Sequence, residues 1–148
     1  MMTTRHLISL LILCGFFMCV NLAHSLPPPC TQEELLNSSS FAVEGKVLKI
    51  ECGQSMNSRQ CSPSSEYKGN YKPELISKCN AVVKVTKNIK GSFNTGDLVV
   101  IPFIKLVQQC RGGTHILPGI PKKNFPPGGM IRYYSSGTCR YWNLENLH

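Results

Sequence analysis

Six cysteines and two histidines are the side chains of this chain most suited to chemistry once a leader is set aside. The cysteines are Cys30, Cys52, Cys61, Cys79, Cys110 and Cys139. An even number in a short chain that carries a leader predicts three disulfides. Zinc is the competing use of the sulfurs. No C-x-x-C pair occurs, however, and the closest pair, Cys52 and Cys61, has eight residues between them, which is unlike a zinc-ligand spacing. The histidines are His115, in a Gly-rich stretch, and His148, the last residue. General acid/base cleavage of a phosphodiester needs two such groups facing one phosphate and a cation to hold the charge, and this pair is not spaced for it. Neither G-x-S-x-G nor H-E-x-x-H occurs. The reading is a protein without a catalytic, cofactor or metal site, which acts by binding.

The leader sets the chemical setting of those cysteines. Arg5 supplies a positive start, Leu7 to Val20 an apolar run, and Ala23-His24-Ser25 the small residues of a cleavage site. The run is shorter than the roughly 20 residues of a membrane span, so residues 1–25 are expected to be a signal peptide. Cys14 and Cys19 would leave with it. Residues 26–148 then form one secreted, extracellular domain without a membrane span, in an oxidising compartment. The segment GTCRYW around Cys139 is similar to the surroundings of a papain-type nucleophile, but the preceding cysteine and the long downstream domain are missing; Cys139 is read as disulfide-bonded.

Of the 16 Lys and Arg residues only Arg5 lies in the leader, so the mature chain carries 15 against 8 Asp and Glu. The basic residues are spread out as Lys46 and Lys49, then Lys84, Lys87 and Lys90, then Lys122 and Lys123. Such spacing reads as solvated strand faces, which serve solubility alone or attract acidic glycans, anionic lipid or nucleic acid. No motif for specific nucleic-acid readout accompanies it.

The elements that position these residues are mostly strands. Thr31 and Glu34 have the spacing of a capping box at the start of one short helix, and Ser38 to Ser40 end it. In FAVEGKVLKI, Phe41, Val43 and Val47 are apolar on odd positions and Leu48 and Ile50 on even ones, a phase switch that predicts a bulge, with Gly45 inside the strand. Residues 53–77 are polar and aperiodic and read as a long loop. Val83, Val85 and Ile89 mark a second strand; a Gly- and Asn-containing turn follows, and LVVIPFI is a third strand. Pro102 makes that strand an edge or breaks it. Cys52 closes one strand and Cys79 opens the next, so an antiparallel pairing could set them opposite each other. The stretch from Arg111 to Met130 is an irregular connection with Lys122 and Lys123 in an exposed loop. Two short strands about Ser135-Ser136-Gly137 and a last turn of helix in NLENLH complete the chain. The fold class is all-β, about five short strands and one helix, a count that suits a small barrel.

The order of these segments (Cys30 and a short helix, SSFAVEGKVLKI, AVVKVTKNIKGSFNTGDLVVI, a central Cys110 and a late GGMIRYYSSGTCRYW) resembles the netrin-like domain, in particular the inhibitory domain of tissue inhibitors of metalloproteinases, over residues 30–142. The resemblance implies a five-stranded oligonucleotide/oligosaccharide-binding (OB-type) barrel stapled by disulfides. It implies a Cys30–Cys110 bond, which would leave Cys61 for Cys139. It also implies inhibition of a zinc endopeptidase by the free amine and carbonyl of a terminal cysteine. Here Leu26, Pro27, Pro28 and Pro29 precede Cys30, and Gln32 stands where the family has a second cysteine.

The leading functional expectation is therefore a metalloproteinase inhibitor that needs trimming to Cys30, with a protein partner. An extracellular-matrix or acidic-glycan-binding module is the alternative, and a small secreted ribonuclease the enzyme reading. Candidate partner-binding residues are Cys30, Thr31, Lys122, Lys123, Arg132, Tyr133 and Tyr134, although the aromatic ones among them read more readily as core. Asn37-Ser38-Ser39 is a glycosylation sequon.

Overall fold

The structure, a computed structural model, describes residues 29–115 and 121–147. The leader, its cleavage point and His148 lie outside the described residues. Helix α1 (Gln32–Ser38) begins as the sequence predicts. The Thr31 hydroxyl accepts the Glu34 N–H at 3.2 Å, and the Glu34 carboxylate accepts the Thr31 N–H at 2.7 Å. Two otherwise unpaired donors are satisfied, and Leu35 faces inward.

Strand β1 (Ser39–Cys52) follows without a linker and is the centre of the molecule. It pairs antiparallel with β4 (Leu75–Lys90) on one side and β7 (Met130–Ser136) on the other. Beyond β4 lies β5 (Leu98–Gln108), and beyond β7 lies β8 (Leu144–Leu147), giving the order β5-β4-β1-β7-β8. The fold is thus mostly antiparallel β with one short helix. Between β1 and β4, β2 (Met56–Asn57) pairs with the start of β4, and β3 (Cys61–Pro63) forms a separate ribbon with β6 (Gly113–His115). The region read as a loop thus carries two short strands and the first residues of β4. Their pairing partners are distant in sequence, so no local period announces them.

The irregularity of β1 is real and larger than one bulge. Its pairing with β4 shifts at Ala42/Val43, at Glu44/Gly45 and between Val47 and Lys49. The last shift leaves Leu48 as the extra residue, outward at 47% exposure beside an equally outward Lys49, and brings Ile50 onto the core. Gly45 is required by close approach, since a Cβ there would lie 2.5 Å from the Lys84 carbonyl oxygen and from a Val83 methyl. Pro102 is met on an edge: among the described residues β5 has β4 as its one strand partner, with a single parallel bridge from Ile104 to Lys122 on its other side.

The core is built from Val43 and Val47 of β1, Val83 and Val85 of β4, Ile101 and Phe103 of β5, and Ile131 of β7. Phe125, from the Pro-rich connection, is fully buried among them and lies 4.5 Å from Phe103 between ring centres. Burying such a ring is worth roughly 1.5–3 kcal/mol, which holds an otherwise irregular segment against the sheet. Leu35, Ala42, Tyr134 and Cys139 form a second cluster beneath the helix.

The six cysteines pair, and Cys52 meets Cys79 across β1 and β4 as expected. The other two bonds correct the expectation: Cys30 pairs with Cys139, and Cys61 with Cys110. The reason lies in the strands. Ser39 opposes Ser136, so the segment before β1 runs alongside the turn after β7, where Cys139 sits. Cys110 follows β5, and the Lys72–Arg111 bridge with the β3–β6 ribbon holds it beside Cys61, at 5.9 Å between Cα atoms. NLENLH is also corrected. Leu144–Leu147 is a strand, because Leu144 and Leu147 oppose Tyr133 and Met130.

Candidate functional site

The N-terminal edge is exposed and held by several links at once. Cys30 is half-buried and bonded to Cys139, and Thr31 is exposed and fixed by its cap. The serines that end the helix are fastened to the far strand. Ser38 and Ser136 hydroxyls meet at 2.6 Å, and Ser136 Oγ accepts the Cys139 N–H at 3.0 Å. Ser135 repairs the ladder where β1 is irregular: its hydroxyl accepts the Phe41 N–H at 2.8 Å and donates to the Phe41 carbonyl at 2.9 Å. A shallow depression of about 550 Å³ is lined by Cys30, Glu34, Asn37, Ser38, Thr138 and Cys139. Asn37 is exposed at this edge, so a glycan on its sequon would stand over Cys30 and Thr31.

Lys122 and Lys123 are half-buried, which corrects their reading as free loop lysines. They serve opposite ends. Lys122 Nζ is 2.9 Å from the carboxylate of Glu74, a residue only 2% exposed, and His115 Nδ1 lies 3.9 Å from the same oxygen. Burial pushes the Glu74 carboxyl up, but hydrogen bonds from Lys122 and Ser58 and the charges of Lys122 and His115 outweigh it and hold it below the usual value. The group ties the start of β4 to the ribbon and to the Pro-rich segment. Lys123 turns to a pocket of about 270 Å³ between β5 and the turn from β7 to β8. Its backbone N–H donates to the Ile104 carbonyl at 2.8 Å. Burial, with no carboxylate to offset it, pushes the Lys123 ammonium down to about 8.

Tyr133, Arg140 and Asn143 line the same pocket. Burial raises the Tyr133 phenol, opposed by a hydrogen bond from Asn143. The Asn143 Oδ1 is buried without a donor. Arg132 is bound on both sides: Nη2 and Nε lie 2.8 and 3.0 Å from Glu44 Oε1, and Nη1 lies 2.8 Å from Glu145. Tyr134 is buried and Tyr133 packs between Phe41 and Phe125, so these rings serve the core. The structure therefore brings Cys30 and Thr31 together at one end and Lys123 and Tyr133 together at another. It does not gather the predicted residues into one site. Glu74 and Asn143 were missed because each stands in a polar stretch without periodicity, where a buried group looks like any loop residue.

Among the described residues no group of three or more His, Cys, Asp or Glu could hold a metal ion, and no helix is long and apolar enough to cross a membrane. Compared with known proteins, the chain matches no family model, no curated protein and no solved structure.

Proposed function

We propose that this chain is an extracellular, non-enzymatic binding module with a netrin-like, OB-type barrel, whose N-terminal edge engages a protein partner in the manner of metalloproteinase inhibitors. Three disulfides suit an oxidising compartment. Barrel closure is supported by the pocket at Lys123, which is lined by both β5 and the β7–β8 turn, the two flanks of the sheet order. The observation that carries the functional reading is the edge itself. Cys30 and Thr31 are held by a disulfide, a capping box and paired serines, so little conformational entropy remains to be lost when a partner binds. Zinc chelation needs a primary amine on Cys30, and the Pro29–Cys30 peptide bond removes it. Inhibition therefore requires trimming of the Leu-Pro-Pro-Pro segment. The deciding assay compares the secreted form with a form beginning at Cys30 against a zinc endopeptidase, both carrying Asn37→Gln so that a glycan does not mask the edge. Inhibition by the trimmed form alone supports the proposal, and equal inactivity of both refutes it.

Acidic-glycan binding is a second reading, favoured by one observation: Lys46 and Lys84 are direct cross-strand partners, and neither has a carboxylate partner among the described residues. Retention on heparin at low salt, lost at physiological ionic strength, is its expected sign.

A further inference from the structure

The outer face of β1, β4 and β5 has a composition of its own. Alternation along these strands sends Leu48, Val82, Leu98 and Val100 to the side opposite the core. They are neighbours. Val82 opposes Val100, Leu48 is the extra residue beside Val82, and Leu98 stands two residues from Val100 on the same face. Leu48, Leu98 and Val100 are 47%, 61% and 57% exposed, and Val82 lies half-buried among them. Apolar side chains in contact at a surface mark an interaction site where single ones do not. Lysines border the patch: Lys84 opposes both Lys46 and Leu98, and Lys78 opposes Ile104 beyond Pro102. The carboxylates along β1 on this face are already taken: Glu51 is bound to Lys49 at 2.6 Å and Glu44 to Arg132 at 2.8 Å.

We infer that this face docks on an anionic phospholipid surface, with the Leu48, Val82, Leu98 and Val100 side chains entering the headgroup region and Lys46 and Lys84 meeting lipid phosphates. Its composition separates this occupant from the others. Tight protein interfaces centre on Trp, Tyr and Arg and are depleted in Lys, whereas this patch holds aliphatic residues and lysines. A second copy of the chain would bring two basic faces together. A sulfated glycan satisfies the lysines but gives four aliphatic side chains nothing to bury against. A bilayer surface meets both needs: the apolar tips leave water, and long lysine stems reach phosphates while lying along apolar surface. The docking is peripheral and uses a face remote in the strand order from β8.

The experiment is co-sedimentation of the secreted, disulfide-intact protein with vesicles of phosphatidylcholine alone and of phosphatidylcholine with phosphatidylglycerol, run beside a heparin column. Wild type is expected to sediment with the anionic vesicles only. Lys46→Gln with Lys84→Gln should weaken this about 25-fold, at about fivefold per lysine near an anionic surface. Leu98→Thr with Val100→Thr keeps strand propensity at exposed positions and should weaken vesicle binding at least about fivefold, for two buried aliphatic groups, while heparin retention is unchanged. Failure to sediment with anionic vesicles overturns the inference, as does sedimentation undiminished by the threonine pair, which would reduce the face to diffuse charge. A wild type that sediments with anionic vesicles but is not retained on heparin counts against the glycan reading and supports lipid docking.

Discussion

Replacing Lys123 with Met should stabilise the protein at neutral pH, and the gain should vanish in alkali. Lys123 is held among Phe103, Ile104, Pro121 and Tyr133 with its ammonium pushed from 10.5 down to about 8 by burial. One pKa unit corresponds to about 1.4 kcal/mol, so the charged form costs the folded state on the order of 3 kcal/mol before screening by nearby solvent. Discounted for its half-buried position, about 1–2 kcal/mol remains. The sign follows from linkage. Between pH 8 and 10.5 the unfolded chain binds the proton that the folded chain has released, so this residue's contribution makes stability rise with pH across that window. Below pH 8 both states are protonated and the full cost is present. Met keeps the length of the side chain and fills the same apolar wall. Urea unfolding of both proteins, disulfides intact, at pH 6.5 and pH 9.5 measures it. The variant should be more stable by about 1–2 kcal/mol at pH 6.5, and at pH 9.5, still below the unfolded-chain value, the gain should have fallen to somewhat under half of that. A variant no more stable at pH 6.5, or a gain equal at both pH values, would refute the assignment of an unpaired, desolvated ammonium.

Glu74→Gln leaves Lys122 half-buried without its carboxylate and should cost about 2–4 kcal/mol at pH 7 by urea unfolding. Because the Glu74 pKa is held below its ordinary value, the stabilisation is present above about pH 4.5, and the gap between wild type and variant should close as the pH falls through the folded-state pKa. Gly45→Ala drives a methyl into the Lys84 carbonyl and should cost about 1–3 kcal/mol or more, read as a lowered melting temperature. Cys52→Ser with Cys79→Ser opens a loop of 27 residues and should cost about 3–4 kcal/mol; non-reducing peptide mapping of the unaltered protein should return Cys30 joined to Cys139 and Cys61 to Cys110.

What could be read in advance was local. The Thr31–Glu34 cap, the interruption of β1, the edge position forced by Pro102 and the Cys52–Cys79 bond each follow from a few neighbouring residues or one pairing. What could not be read depends on the pairing of distant segments. β3 and β6 are three residues each and exist because Cys61, Ser62 and Pro63 oppose His115, Thr114 and Gly113 across some fifty positions. The same closure moves Cys110 to Cys61 and frees Cys139 for Cys30. NLENLH has no competing partner as an isolated peptide, and only the neighbouring edge of β7 makes it a strand. The site residues divide the same way. The cap that fixes Thr31 was legible from Thr31 and Glu34 alone, whereas the family resemblance is what singles out Cys30 and Thr31 as partner-binding residues. Lys122 and Lys123 could not be separated, because adjacent and chemically identical side chains acquire opposite surroundings only when the 121–129 segment is pinned by Phe125.

The extra residue at Leu48 ties the core to the proposed docking face. Side chains in a strand alternate, so a shift of one residue exchanges every inward group for an outward one. From Gly45 to Val47, which opposes Val83, β1 keeps one register with β4; from Lys49, which opposes Val82, it keeps another. Carrying the first register forward would set Ile50 against Asn80 on the outer face and bring Glu51 to the core side opposite Cys79. Cys52 would then oppose Lys78, with no disulfide across the pair. The bulge avoids all three outcomes, and the extra residue it accommodates on the outer face is a leucine lying beside Val82 and the outward residues of β5. Deleting Leu48 would let Val47, Lys49, Ile50, Glu51 and Cys52 oppose Val83, Val82, Ala81, Asn80 and Cys79 without interruption, so the variant should keep the Cys52–Cys79 bond, with no free thiol on titration, while vesicle binding falls with the loss of the leucine from the outer face.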